Sequence, residues 1–97
     1  MIKEYDINDI SYNHTIIDFW AEWCGPCRMT SKNLEEFSNE HPEIEIIKVN
    51  VDEMPEVASE YGILSLPTIL SVNGNDIEWR HVGLMTKKQM EEKMLVE

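Results

Sequence analysis

The sequence predicts one α/β domain over residues 1–97, with a central mixed sheet of four to five strands flanked by helices in the order β-α-β-α-β-α-β-β-α. Three observations predict it. Thr15 to Ala21 (Thr-Ile-Ile-Asp-Phe-Trp-Ala) is a mostly apolar run rich in β-branched and aromatic residues, the signature of a strand buried on both faces. A helix-period segment follows it, and then a second buried strand, which together make a right-handed parallel unit. Late in the chain, two alternating runs are joined through Asn73-Gly74-Asn75, where Asn-Gly is a strong hairpin signal.

Taken in order, Ile2 to Tyr5 reads as a short extended stretch and Ile7 to Tyr12 as one or two helical turns. After the central strand, Cys27, Thr30, Leu34 and Phe37 recur at helical spacing and define one buried face. That helix ends near His41-Pro42, because a residue before proline is pushed out of the helical region. Glu43 to Val51 thickens into Ile44, Ile46, Ile47, Val49 and Val51, the second buried strand. A short helix follows from Pro55 to Tyr61, with Gly62 as its stop. Thr68 to Val72 and Ile77 to Val82 are the hairpin strands. Thr86-Lys87-Lys88-Gln89 matches a capping box, with Met85 and Met90 placed for a hydrophobic staple, so a last helix runs to the C-terminus with Met90 and Met94 as core filler. No repeats, linkers or low-complexity segments interrupt this order.

The size and charge narrow the function. Ninety-seven residues, 42% of them apolar, suffice for one core and not for two. Nineteen acidic against eight basic side chains give a net charge of −11, which repels nucleic acid and anionic membrane surfaces. The charge serves solubility, or steers the molecule toward a basic partner protein. Met1-Ile2-Lys3-Glu4 does not open a secretory signal, and no apolar run is long enough for a membrane span. These features predict a cytoplasmic monomer with no nucleic-acid or membrane partner.

The two cysteines lie three positions apart in Cys24-Gly25-Pro26-Cys27, in a chain read as cytosolic, where lasting structural disulfides are rare. At the start of a helix both sulfurs fall on one face, over the positive end of the helix dipole, which acidifies the first thiol. Zinc normally needs four ligands. No second cysteine pair exists, and His14, His41 and His81 fall on separate elements, so no metal site is expected. Gly25 and Pro26 offer no cationic or hydrogen-bonding side chain to stabilise a thiolate further, which favours a reductant over an oxidant.

Asp18-Phe19-Trp20-Ala21-Glu22-Trp23-Cys24-Gly25-Pro26-Cys27 resembles the active-site signature of the thioredoxin family. Lys48-Val49-Asn50-Val51-Asp52, Leu66-Pro67-Thr68 and Val82-Gly83 match its remaining landmarks in order, so the resemblance covers nearly the whole chain beyond about residue 13. It implies a thioredoxin fold and a protein-disulfide reductase, with a redox-active centre and a role in electron transport and cell redox homeostasis. It implies no bound cofactor, because electrons come from a thioredoxin reductase and pass to disulfide-containing protein substrates. Cys24 would be the exposed nucleophile and Cys27 the buried resolving thiol. Asp18 would accept and return the proton of Cys27, as a desolvated carboxylate whose pKa is raised, and Lys48 beside it would tune that pKa. Taken alone, Asp18 is the one charged member of an apolar strand and hard to place without a purpose, its plainer reading being a carboxylate satisfied by hydrogen bonds; the plainer reading of Lys48 is an ordinary strand lysine.

By the same resemblance, Trp23, Gly25, Pro26, Leu66, Pro67, Val82 and Gly83 would form an apolar docking surface around Cys24, with Trp20 packed beneath it. Pro67 on its own reads as an edge-strand or turn proline. The resemblance makes it a cis-proline whose neighbour Leu66 offers its backbone to an extended substrate segment as an added strand. The chain departs from the family in having Lys32 where a helix-kinking proline is common, which predicts a straighter helix. Arg28 stands for the usual lysine and keeps its charge.

Overall fold

The computed structural model describes residues 1–6 and 13–95. Among these, the elements run β1 (Ile2–Glu4), β2 (Thr15–Trp20), α1 (Gly25–Glu40), β3 (Ile46–Asn50), α2 (Pro55–Glu60), β4 (Thr68–Asn73), β5 (Asp76–Val82) and α3 (Lys87–Met94). They follow the expected order; the helical turns expected from Ile7 to Tyr12 lie outside the described residues.

The five strands lie in the order β1-β3-β2-β4-β5. β1 and β2 both pair parallel with β3, while β4 pairs antiparallel with β2 and β5, so the sheet is mixed. β2 is flanked on both edges, which is why its sequence is nearly continuously apolar. Strand alternation divides its side chains between two cores. Ile17 and Phe19 join Ile47, Val49 and Leu70 against Val57 and Ala58 of α2. Ile16 joins Ile46 and Ile69 against Leu34 and Phe37 of α1 and Met90 of α3. Asp18 shares the parity of Ile16 and so belongs to the α1 side of the sheet.

Several boundaries differ from the sequence expectation, most of all those of β3, which have local reasons. β3 begins at Ile46 rather than Glu43 because the chain first turns after α1, with the Ile44 N–H donating to the His41 carbonyl at 3.1 Å. It ends at Asn50 because the Asn50 side chain accepts the Asp52 N–H at 2.9 Å, opening a turn. In the β4–β5 hairpin, Asn73 closes the strand and the turn is Gly74-Asn75, with Gly74 at φ 63, a conformation that costs glycine nothing.

The capping box forms as expected. The Thr86 hydroxyl accepts the Gln89 N–H, the Gln89 side chain accepts the Thr86 N–H, and Met85 and Met90 are wholly buried together. Thr86→Ala is expected to cost about 1 kcal/mol, read as a lower midpoint in denaturant with an unchanged slope. The segment before α3 is tied to α1 twice: Asn33 donates to the Met85 carbonyl at 2.9 Å, and the Thr30 hydroxyl accepts the Met85 N–H at 3.2 Å.

Candidate active site

α1 starts where β2 ends, so the cysteine pair sits at the junction of the central strand and the helix above it. Cys24 is the N-cap: its backbone is extended, and its Sγ accepts the Cys27 N–H at 3.2 Å. Proline falls in the first helical positions, where its missing N–H is not needed. The first turn carries no acidic side chain, leaving the positive end of the helix dipole uncompensated beneath Cys24. The helix then continues without interruption through Lys32, where the family's proline is replaced.

The two cysteines form a disulfide with Cα atoms 5.3 Å apart, so this is the oxidised state. The expected contrast of an exposed Cys24 and a buried Cys27 is much reduced here: their exposures are 5% and 2%. With the disulfide closed, both cysteines lie in one small cluster with Ala21, against which Trp20, Val51 and Leu66 pack.

On the α1 side of the sheet, Asp18 is fully buried and neither carboxylate oxygen has a hydrogen-bond partner. The reading of a carboxylate satisfied by hydrogen bonds is therefore not met. Burial pushes its pKa up from 3.8 to about 6, with the Lys48 ammonium pulling it back. Lys48 is the register partner of Asp18 on β3, its Nζ is 3.7 Å from Oδ2, and its side chain is 19% exposed. The ammonium also donates to the Ser31 hydroxyl on α1 and lies 5.1 Å from the Trp20 ring centroid. Cys27 and Lys48 line one cleft of about 560 Å³ beside α1, together with Trp20, Arg28, Ser31 and Lys32. Lys48→Met is expected to raise the Asp18 pKa above about 6, because only the lowering contribution is lost; a carboxyl-detected NMR titration with an unmoved midpoint would detach the lysine from this aspartate.

Of the residues expected to surround the cysteines, Trp23 is 71% exposed, Gly25 and Pro26 are exposed, and Val82 is exposed at the end of β5. Leu66 is half-buried and the Leu66–Pro67 peptide bond is cis, as the resemblance implied. Gly83, at φ 95, donates its N–H to the Pro67 carbonyl at 2.8 Å, which ties the second rim to the proline. Sequence reasoning missed two partners. Asp52 accepts the Trp23 indole N–H at 2.8 Å, and Ser31 accepts from Lys48. Ser31 carried no signal, and Asp52 stood in the landmark Lys48 to Asp52 with no role attached, since each partner lies on a different element. Asp52→Ala is expected to leave stability within about 0.5 kcal/mol, as an exposed site, while changing Trp23 fluorescence through loss of its anchor.

A dithiol that closes at a helix N-terminus is the working group of a thiol–disulfide oxidoreductase. The thioredoxin profile matches residues 3–95, and the chain belongs to the thioredoxin family. It is similar to a thioredoxin of Alicyclobacillus acidocaldarius subsp. acidocaldarius, with 44% identity over 77 residues covering 78% of this chain and 73% of that one. A thioredoxin of Rickettsia typhi is 37% identical over 94 residues, covering 88% of this chain and 90% of that one. Among solved structures, Fasciola hepatica thioredoxin has a TM-score of 0.79 at 31% identity, covering 87% of this chain and 80% of that one. The fold is thus the thioredoxin fold, and the protein is a disulfide oxidoreductase working by dithiol–disulfide exchange at Cys24 and Cys27. Among the described residues no helix is long and apolar enough to cross a membrane, and no cluster of three or more metal-ligating side chains occurs.

Proposed function

We propose that the chain acts as a single monomeric domain that reduces disulfides of protein substrates, with Cys24 as nucleophile and Cys27 as resolving thiol. The Cys24 thiolate attacks one sulfur of the substrate disulfide; a Cys24–substrate bond forms and the other substrate sulfur leaves as a thiolate. Cys27 then gives its proton to Asp18 and attacks Cys24 Sγ. The mixed disulfide breaks, the Cys24–Cys27 bond forms, and the substrate has gained two electrons. Thioredoxin reductase returns two electrons to the pair.

The observation that carries this reading is Asp18: a buried, unpartnered carboxylate with a pKa of about 6, on the same face of the sheet as the helix bearing Cys27. Such a group is ionised near neutrality yet basic enough to take a thiol proton. Lys48 limits how far its pKa rises. Trp23, Gly25, Pro26, Leu66, Pro67, Val82 and Gly83 form the docking surface, and a substrate segment pairs with the Leu66 backbone as an added strand. Broad use of protein substrates follows, since backbone pairing ignores sequence. The Gly-Pro spacer suits a reducing compartment, which supports the cytoplasm as the site of action.

The test is reduction of insulin with NADPH and thioredoxin reductase, alongside a chemical dithiol. Turnover in both arms is expected. Turnover with the dithiol alone would assign a different electron donor, and none in either arm would refute the reductase reading.

A further inference from the structure

The Lys48 ammonium stands among three groups that attract it: the Asp18 carboxylate, the Trp20 ring and the Ser31 hydroxyl. Only Ser31 receives a hydrogen bond from it. The carboxylate, the strongest of the three attractors, stays 3.7 Å away with both oxygens unpartnered. A charge-assisted hydrogen bond between ammonium and carboxylate is roughly twice as strong as a neutral one, so an ammonium free to choose would close on Asp18. Ser31 lies on α1, held by the buried positions Thr30 and Leu34 on either side of it, and its hydroxyl draws the lysine toward the helix.

We propose that Ser31 is a positioning residue of the exchange reaction: its hydroxyl holds the Lys48 ammonium back from Asp18 and so leaves that carboxylate free to take the Cys27 proton. This rests on the reading of Asp18 as the proton acceptor. A lysine hydrogen-bonded to the carboxylate would stabilise its charged form and weaken it as a base, whereas at ion-pair distance it tempers the effect of burial without cancelling it. Among the described residues no other charge is placed to do this. Lys48 is the charged group acting on Asp18, and Ile69, its partner on β4, is apolar. Facing Lys48 are Glu4, its register partner on β1, Glu53 after β3, and Glu22, Arg28, Lys32 and Glu35 along α1 and the loop before it; all are exposed. Their influence is screened by solvent, while the Ser31 contact is half-buried.

The test compares Ser31→Ala and Ser31→Thr with the unaltered protein, by NMR titration of the Asp18 carboxyl in the reduced form and by the pH dependence of insulin reduction. Alanine is a better helix former than serine, so the first variant folds. In Ser31→Ala the Asp18 midpoint is expected to fall by about one pH unit as the ammonium closes on the carboxylate. The acid limb of the rate profile is expected to move down with it, and release of the mixed disulfide to slow. Ser31→Thr keeps the hydroxyl and is expected to restore both. A midpoint that stays or rises in Ser31→Ala overturns the proposal whatever the rate does. A midpoint that falls while the rate profile is unmoved upholds the positioning of Lys48 by Ser31 and refutes Asp18 as the proton acceptor.

Discussion

Cys24→Ser is expected to abolish disulfide reduction, while Cys27→Ser keeps the first attack and accumulates a covalent adduct with substrate. The asymmetry follows from where each sulfur sits on α1. Cys24 is the N-cap and its Sγ already accepts the Cys27 N–H, so the thiolate form has a donor waiting and the helix dipole behind it. Serine at that position caps the helix equally well but has no thiolate to offer, so the fold survives and the chemistry stops. Cys27 lies one turn into the helix on its buried face. Its attack on the mixed disulfide is intramolecular, and well-oriented intramolecular groups reach effective concentrations of about 10⁵ M or more. Without it, release waits for an external thiol at millimolar levels. Mass spectrometry under non-reducing conditions reads the adduct directly. Equal loss of activity in both variants with no adduct in either would reverse or erase the assignment.

Asp18→Asn is expected to make the protein more stable and the reaction slower. The folded pKa of about 6 lies above the ordinary 3.8, so the native state binds a proton that the unfolded chain has released. The protonated carboxyl therefore contributes fully below about pH 4. That contribution is lost as pH rises through 6, above which the buried charge costs on the order of 3 kcal/mol at 1.36 kcal/mol per pH unit. Asparagine removes the charge but leaves Lys48 half-buried without its counter-ion, so the net gain at pH 8 is smaller, about 1–2 kcal/mol. The gain is expected to shrink toward zero below pH 4, a dependence that a series of denaturant melts resolves. Turnover at pH 7 is expected to fall at least about tenfold, because the resolving thiol loses its proton acceptor. A stabilised variant with an unchanged rate would leave Asp18 a buried charge without a catalytic part.

The sequence disclosed most of the frame, because its signals are local. Thr15–Trp20 was legible as a central strand since a strand covered on both faces has no polar alternation to obscure it. Thr86 and Gln89 announced the last helix, since a capping box is complete within four residues. The end of β3 was overrun because apolar content continues into Val51, while the Asn50 side chain stops the strand by a hydrogen bond that hydropathy does not register. The site was legible unevenly. The cysteine pair and the oddness of Asp18 in an apolar run could be read from the residues. The cis bond before Pro67 came only from the family resemblance, since proline alone fits several settings. The contacts of Ser31 and Asp52 were invisible because each is acquired through packing: Ser31 meets a lysine 17 residues away and Asp52 a tryptophan 29 residues away.

The two hydrogen bonds that link Met85 with Thr30 and Asn33 have a mechanical consequence. They fasten the end of the β5 ridge to the helix that carries the cysteines, and Gly83 fastens the same ridge to Pro67. The segment that follows β5 is thereby joined by hydrogen bonds both to the helix that bears the cysteines and to the loop that carries the cis proline. An incoming chain must supply all of the bending, so loops and loosened segments seat more readily than well-packed strands. If the docking surface proposed above takes substrate, selectivity is expected to follow the pliancy of the partner more than its sequence.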